Sequence, residues 1–224
     1  MSIPVVTIDG PGGSGKGTVS QRLAARLGWH YLDSGALYRA VGLSARNKGV
    51  SLDDPAALAG LAQAVDIRFQ PAADGRPAPV WVDGQDVGDA LRTEETGHLA
   101  SRVAQFAAVR TALLDKQRHF LQVPGLVADG RDMGTTVFPD ALLKVFLTAS
   151  PEVRAERRYK QLKEKGLDVT LLRLLGEIRE RDARDAARQA SPLRPATDAE
   201  ILDTSRLSID EAVDVIFQRL QQRL

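Results

Sequence analysis

An α/β fold with a parallel central sheet is predicted by three observations. An apolar run, Val5-Val6-Thr7-Ile8, leads through a glycine-rich turn at Gly10–Thr18 into a segment with Val19, Leu23 and Leu27 at helical spacing. Later apolar runs, 125–129 and 142–147, are followed by polar turns and amphipathic helical stretches, the alternation that builds parallel sheets. Between these parts lies a short stretch of strictly alternating residues with Asp-Gly turns, the pattern of a small antiparallel meander.

Taken in order, a strand is predicted over about 4–9 and a helix over about 16–27. A short strand at 29–32 precedes a helix over about 35–48, with Asp33 or Ser34 as its N-cap, and Asp53-Asp54-Pro55 opens the next helix by the same chemistry. The runs 65–69, 80–83 and 85–87 alternate and are separated by Asp74-Gly75 and Asp83-Gly84. Helices resume over about 91–122, and Gly125–Asp129 and Leu142–Leu147 read as buried strands. A helix starts at Pro151, a charged helical stretch spans about 170–190, Ile201-Leu202-Asp203 is a last short strand, and 209–220 a closing amphipathic helix. Pro71–Pro79 and Ala190–Ala199 read as loops. The whole is a three-layer core over 1–61 and 105–224, with a helical lid at about 157–190 and an antiparallel β-rich insert at 62–104.

Composition excludes several classes of function. The chain has 224 residues, enough for one large domain or one with an insert. It contains no cysteine, so disulfide frameworks and thiolate metal sites are ruled out. No apolar stretch approaches the ~20 residues that cross a bilayer. The first residues lack the charged-then-apolar layout of a signal peptide, and cytoplasm is the expectation. A net charge of +1 provides no broad cationic field for nucleic acid. The three histidines, His30, His98 and His119, have no metal-ligand spacing, and Trp29 and Trp81 read as core.

The segment Gly-Pro-Gly-Gly-Ser-Gly-Lys-Gly-Thr, residues 10–18, carries the most chemistry. Strand, glycine loop and helix start make a phosphate cradle, a P-loop. Successive N–H groups can turn onto phosphate oxygens, the helix dipole favours the anion, and the Lys16 ammonium can bridge the distal phosphates. Gly10, Pro11, Gly12, Gly13, Ser14, Gly15, Lys16, Gly17 and Thr18 are therefore the candidate nucleotide loop. The residue after Lys16 is Gly17, and the hydroxyl comes one place later, at Thr18. Motor ATPases and GTPase switches place a Mg²⁺-ligating Ser or Thr directly after the lysine. The version found here resembles the loop of nucleoside monophosphate kinases, where phosphates and water hold most of the metal.

Three further clusters can share that chemistry. Asp33-Ser34-Gly35-Ala36-Leu37-Tyr38-Arg39 lies at a strand-to-helix turn, where parallel sheets bind ligands. Ser34 and Arg39 then face the crevice of the phosphate loop, or else Ser34 caps a helix and Arg39 lies in solvent. Asp129-Gly130-Arg131-Asp132-Met133-Gly134 follows a buried strand; Asp129 suits a role in orienting hydrated Mg²⁺, and the alternative for Arg131 and Asp132 is a surface ion pair. In 179–188, Arg181, Arg184 or Asp185, and Arg188 share a helical face. The pairs Glu177–Arg181, Glu180–Arg184 and Arg181–Asp185 would equally suit a solvated helix. Beside a phosphate loop, guanidinium forks match the charge that spreads over a transferring phosphoryl group.

The loop 10–18, Asp33–Arg39, Gly130-Arg131-Asp132-Met133-Gly134-Thr135 with Val137-Phe138-Pro139, and Arg181-Asp182-x-Arg184-Asp185 occur in this order in bacterial cytidylate kinases, which the chain resembles nearly end to end. The resemblance implies ATP-dependent phosphorylation of CMP and dCMP to CDP and dCDP, with Mg²⁺ carried by the nucleotide and no dedicated metal site. It implies that Gly10–Thr18 wraps the ATP phosphates with Lys16 following the transferred group. It also implies that Arg39, Arg131 and Arg188 hold the CMP phosphate; Ser34, Ser101, Arg110 and Asp132 read cytosine; Arg181 and Asp185 reach the ribose; and Arg157, with Arg158, opens the lid near ATP. Lys16, Arg131, Arg181 and Arg188 are the implied catalytic set, the insert 62–104 serves the monophosphate, and the enzyme is a monomer with nucleotides as partners. A carboxylate at Asp132 suits cytosine, whose exocyclic amine donates where uracil presents a carbonyl.

Other classes fit less of the chain. A small P-loop kinase acting on another acceptor would share the loop but not the 130–135 cluster or the insert. A GTPase switch needs Asn-Lys-x-Asp, and Asn47-Lys48-Gly49-Val50 lacks the acid. For a nucleic-acid-binding module, the basic stretch is confined to about 173–188 and interleaved with acids.

Overall fold

β1 (Val5–Asp9) is buried along its whole length, as a central parallel strand must be. The computed structural model describes residues 3–69, 80–164 and 166–224; the expected loop Pro71–Pro79 and the turn Asp74-Gly75 lie outside the described residues. From β1 the chain turns through the glycine loop into α1 (Lys16–Leu27), closed by Gly28 in the left-handed conformation, and returns as β2 (His30–Asp33). Contacts then divide the chain into two compact units, one of residues 1–33 and 118–224, the other of residues 34–117.

The second unit starts with α2 (Ser34–Asn47) and α3 (Pro55–Ala64), where the Asp54 carboxylate caps the N–H groups of Ala56 and Ala57. The antiparallel meander follows as β3 (Ile67–Phe69), β4 (Val80–Val82) and β5 (Gln85–Asp86). Asp83, at φ 50°, turns the last hairpin; its carboxylate takes the Lys48 ammonium at 2.6 Å and the Asp66 N–H at 3.1 Å. Three helices complete the unit, α4 (Gly88–Leu91), α5 (Glu94–Val103) and α6 (Ala107–Arg118). The stretch 62–104, read from sequence as an insert, falls inside this unit.

The first unit resumes with β6 (Leu126–Gly130), a π-helical turn at Met133–Val137, and β7 (Leu143–Thr148). The helices α7 (Pro151–Glu164) and α8 (Leu171–Ala187) pack on each other, and β8 (Glu200–Asp203) and α9 (Ile209–Gln221) end the chain. The five strands run parallel in the order β2-β6-β1-β7-β8. Val6, Ile8, Val127, Val145 and Leu147 of the sheet pack against Val19 and Leu23 of α1 and Ile216 and Leu220 of α9. Register aligns Asp33 with Asp129 and Asp9 with Gly130, so three acidic strand ends share the edge from which the phosphate loop departs. The π-turn is the element that periodicity did not announce, because it arises from where its backbone bonds end rather than from any apolar pattern.

Candidate active site

The phosphate loop is shaped by contacts that only glycine permits. At Gly10 a Cβ would lie 2.0 Å from the Leu147 carbonyl oxygen, so the loop leaves β1 pressed against β7. Ser14 ties the loop across itself by donating to the Pro11 carbonyl at 3.0 Å. Gly15 stands at the helix start with no side-chain cap, which leaves the first N–H groups of α1 for an anion. Lys16 reaches back to the Pro11 carbonyl at 3.4 Å and to Asp129 at 3.9 Å. Thr18 is exposed, and a Cβ on Gly17 would stand 3.3 Å from an Asp129 oxygen. A bulkier residue after the lysine would press on that carboxylate.

Around the loop gathers a charged cluster drawn from β6 and α8. The Nη2 of Arg131 and the Nη1 of Arg181 lie 3.4 and 3.6 Å from the point a Gly12 Cβ would occupy. Arg131 donates through Nε to Asp185 at 3.2 Å, and Arg188 pairs with the other oxygen of the same carboxylate. Burial pushes the Asp185 carboxyl up, but the guanidinium charges of Arg131, Arg188 and Arg181 outweigh it and hold the group below its ordinary value. Burial drives the Lys16 ammonium down, and Arg131 pushes the same way. Burial drives Asp129 up, against the opposing pull of Lys16; Tyr31 donates its hydroxyl to it at 3.3 Å. Lys16, Arg131 and Arg181 thus bring three cations to one loop, interleaved with the carboxylates of Asp129 and Asp185.

Asp132 is buried and starts the π-turn; its carbonyl accepts from Thr136 at 2.9 Å and Val137 at 3.2 Å. The turn is held from beneath by Asp9, whose carboxylate accepts from the N–H groups of Met133 and Gly134 at 2.8 Å each. Arg157 donates to the carbonyl of Thr204 at 2.5 Å and to that of Ser14 at 3.4 Å, so it clasps the loop from α7. Arg158 donates to Gln161 at 3.4 Å.

In the second unit, Ser34 opens α2 but does not spend its hydroxyl on a cap. It donates to Gln117 at 2.7 Å, and both residues are buried. Arg39 lies half-buried on the same helix. Ser101 is buried on α5, and Arg110 of α6 stacks over the Tyr38 ring at 5.3 Å while donating to the Ala104 carbonyl at 3.0 Å.

The structure decides between alternatives that spacing left open. Of Arg184 and Asp185, Asp185 pairs with Arg131 and Arg188, while Arg184 is half-buried and pairs with Glu180 at 3.7 Å. Arg188 lies just past the end of α8 rather than within it. Asp9, Arg154, Gln117 and Asp182 escaped the sequence reading as contributors. A strand-terminal acid such as Asp9 carries a faint signal, whereas Arg154 is one arginine among several on a charged helix.

A strand, a glycine loop and a helix start, faced by arginines and lacking the hydroxyl of the switch proteins after the lysine, put the chain among the P-loop kinases. Comparison with known sequences narrows this class. The family described as cytidylate kinase matches residues 6–222. A cytidylate kinase of Methylococcus capsulatus is 58% identical over 220 residues, 98% of each chain. One from Stutzerimonas stutzeri is 56% identical, covering 99% of this chain and 96% of the relative. The chain belongs to the cytidylate kinase family.

Proposed function

We propose that this protein transfers the terminal phosphoryl group of ATP to CMP and dCMP, giving ADP with CDP or dCDP. The gathering of Lys16, Arg131 and Arg181 at the phosphate loop, in a chain of this family, carries the reading. The loop 10–18 holds the ATP phosphates with its N–H groups, and Lys16 follows the transferred phosphoryl as charge builds on its oxygens. Arg131 and Arg188, with Arg39, take the CMP phosphate, and displacement of their bonds to Asp185 frees that carboxylate for the ribose, which Arg181 also meets. Asp132 accepts from the cytosine amine, with Ser34, Ser101 and Arg110 completing the base site. Arg157 steadies the loop where ATP enters.

Asp129 fits a Mg²⁺ carried by ATP: a strand-end carboxylate beside Gly17, which has no side chain to press on it. The metal, when bound, neutralises phosphate charge. Among the described residues no helix is long and apolar enough to cross a membrane. The reading makes it a cytoplasmic monomer that works on free nucleotides.

A coupled assay of ADP release with CMP, dCMP, UMP, AMP and GMP tests the reading. CMP and dCMP should give the highest kcat/KM by a wide margin. Equal rates with all five, or a preference for a purine monophosphate, would overturn it.

A further inference from the structure

Arg154 of α7 is 2% exposed, yet it belongs to none of the roles above. Its Nε donates to the Ala149 carbonyl at 3.0 Å; its Nη1 donates to the Gly12 carbonyl at 2.9 Å and to Asp182 of α8 at 3.0 Å; its Nη2 completes a bidentate pair with Asp182. One guanidinium thus joins the β7–α7 junction, the phosphate loop and the arginine-bearing helix. The stem contributes as well, because a Cβ on Gly13 would meet the Arg154 Cβ at 3.5 Å, so the loop rests on its methylenes.

An ion pair of this kind, with Arg154 buried and Asp182 half-buried, is a poor way to stabilise a core, since apolar residues of similar volume often do as well or better. What apolar residues cannot do is fix a carbonyl and a carboxylate from two segments at defined angles. Asp182 adjoins Arg181, and the Nη1 of Arg181 stands 3.6 Å from the Cβ point of Gly12, the residue whose carbonyl Arg154 holds. Gly12 is gripped at its carbonyl by Arg154 and approached at its Cα by Arg181.

We propose that Arg154 and Asp182 form a positioning pair that registers α8 on the phosphate loop, and so sets the reach of Arg181 during phosphoryl transfer. The inference rests on the proposed kinase reading, in which Arg181 meets the reacting nucleotides. A displacement of about 1 Å at a charge-bearing group can cost a hundredfold in rate.

The test is a double-mutant cycle with Asp182→Asn and Arg181→Ala, and with Arg154→Lys run in parallel. Asp182→Asn should lower kcat by about 10- to 100-fold in protein shown to be folded, with a thermal midpoint below that of the wild type because the buried Arg154 loses its counter-charge. In the Arg181→Ala background the same change should cost less than about twofold, because the group it positions is gone. Arg154→Lys keeps the charge but cannot span the three segments, and should follow the same non-additive pattern. It decides the matter if Asp182→Asn does not fold. Equal losses in both backgrounds, or wild-type turnover in Asp182→Asn, would overturn the proposal. The cycle is run on whichever monophosphate the wild type phosphorylates best, so a wrong acceptor defeats only the CMP reading, and additivity defeats only the positioning pair.

Discussion

The two units hold their functional side chains in different ways. In the unit of residues 1–33 and 118–224, the candidate groups are charged and already bonded to one another: Arg131 and Arg188 to Asp185, Lys16 near Asp129, Arg154 to Asp182. In the unit of residues 34–117, the candidates form neutral or mixed contacts, Ser34 with Gln117 and Arg110 with a carbonyl and the Tyr38 face. The difference follows the chemistry each part would serve. A phosphoryl group in transfer needs charge fixed in advance, since reorienting dipoles during the reaction adds to the barrier. A base is selected by donors and acceptors whose mismatch leaves a buried polar group unpaired. Asp132 and Arg39 cross this division: Asp132 is a buried carboxylate of the charged unit proposed to read the base, and Arg39 a cation of the other unit proposed to take the CMP phosphate.

The sharpest way to test the division is therefore Asp132→Ala. Where a buried polar group goes unpaired, discrimination can reach ~10⁴. The variant should lose most of its kcat/KM with CMP and far less with UMP, collapsing the ratio between them. An equal loss with both nucleotides would place Asp132 with the charged groups in role as well as in position.

Next in size is Lys16→Ala, expected to cut kcat by about 10²–10³, the scale of one lost oxyanion donor. Its thermal midpoint should change little, because burial already weighs against the ammonium. Near-normal turnover of the folded variant would remove the loop from catalysis.

The second unit should respond more weakly. Ser34→Ala breaks one neutral bond, worth about 0.5–1.5 kcal/mol, so CMP efficiency should fall by no more than about tenfold, with ATP KM unchanged. Ser101→Ala and Arg110→Met should shift the CMP-to-UMP ratio in the same direction. Losses as large as that of Lys16→Ala would break the comparison.

The smallest effect concerns pH and stability. Burial pushes the Asp9 carboxyl up to about 7, despite the two N–H groups that favour its charged form. A carboxyl raised on folding binds more protons in the native state, so its stabilising contribution is whole below the unfolded value of 3.8 and fades as pH rises towards 7. The slope from this one group is at most about 1.4 kcal/mol per pH unit. Asp9→Asn should be less stable at low pH, where an amide N–H replaces one acceptor, yet show a flatter profile between pH 4 and 7. An unchanged profile in denaturant titrations would show that Asp9 does not titrate in this range.

The sequence by itself determined the parallel sheet, the glycine loop and most element bounds, because these depend on local spacing. Apolar period, the Asp54 cap and Gly10–Thr18 are read within a few residues of one another. Tertiary structure alone decided which charged groups meet. Helical spacing allowed both Arg184 and Asp185 on the functional face, and packing buries Asp185 between two arginines. Spacing left Ser34 open between capping α2 and facing the crevice, and its hydroxyl bonds instead to Gln117, far along the chain. Arg154 had no local mark at all, since its four acceptors come from the loop, the end of β7 and α8. A side chain's partners across 28 or 142 residues are set by how strands and helices stack, and burial then fixes the worth of each charge.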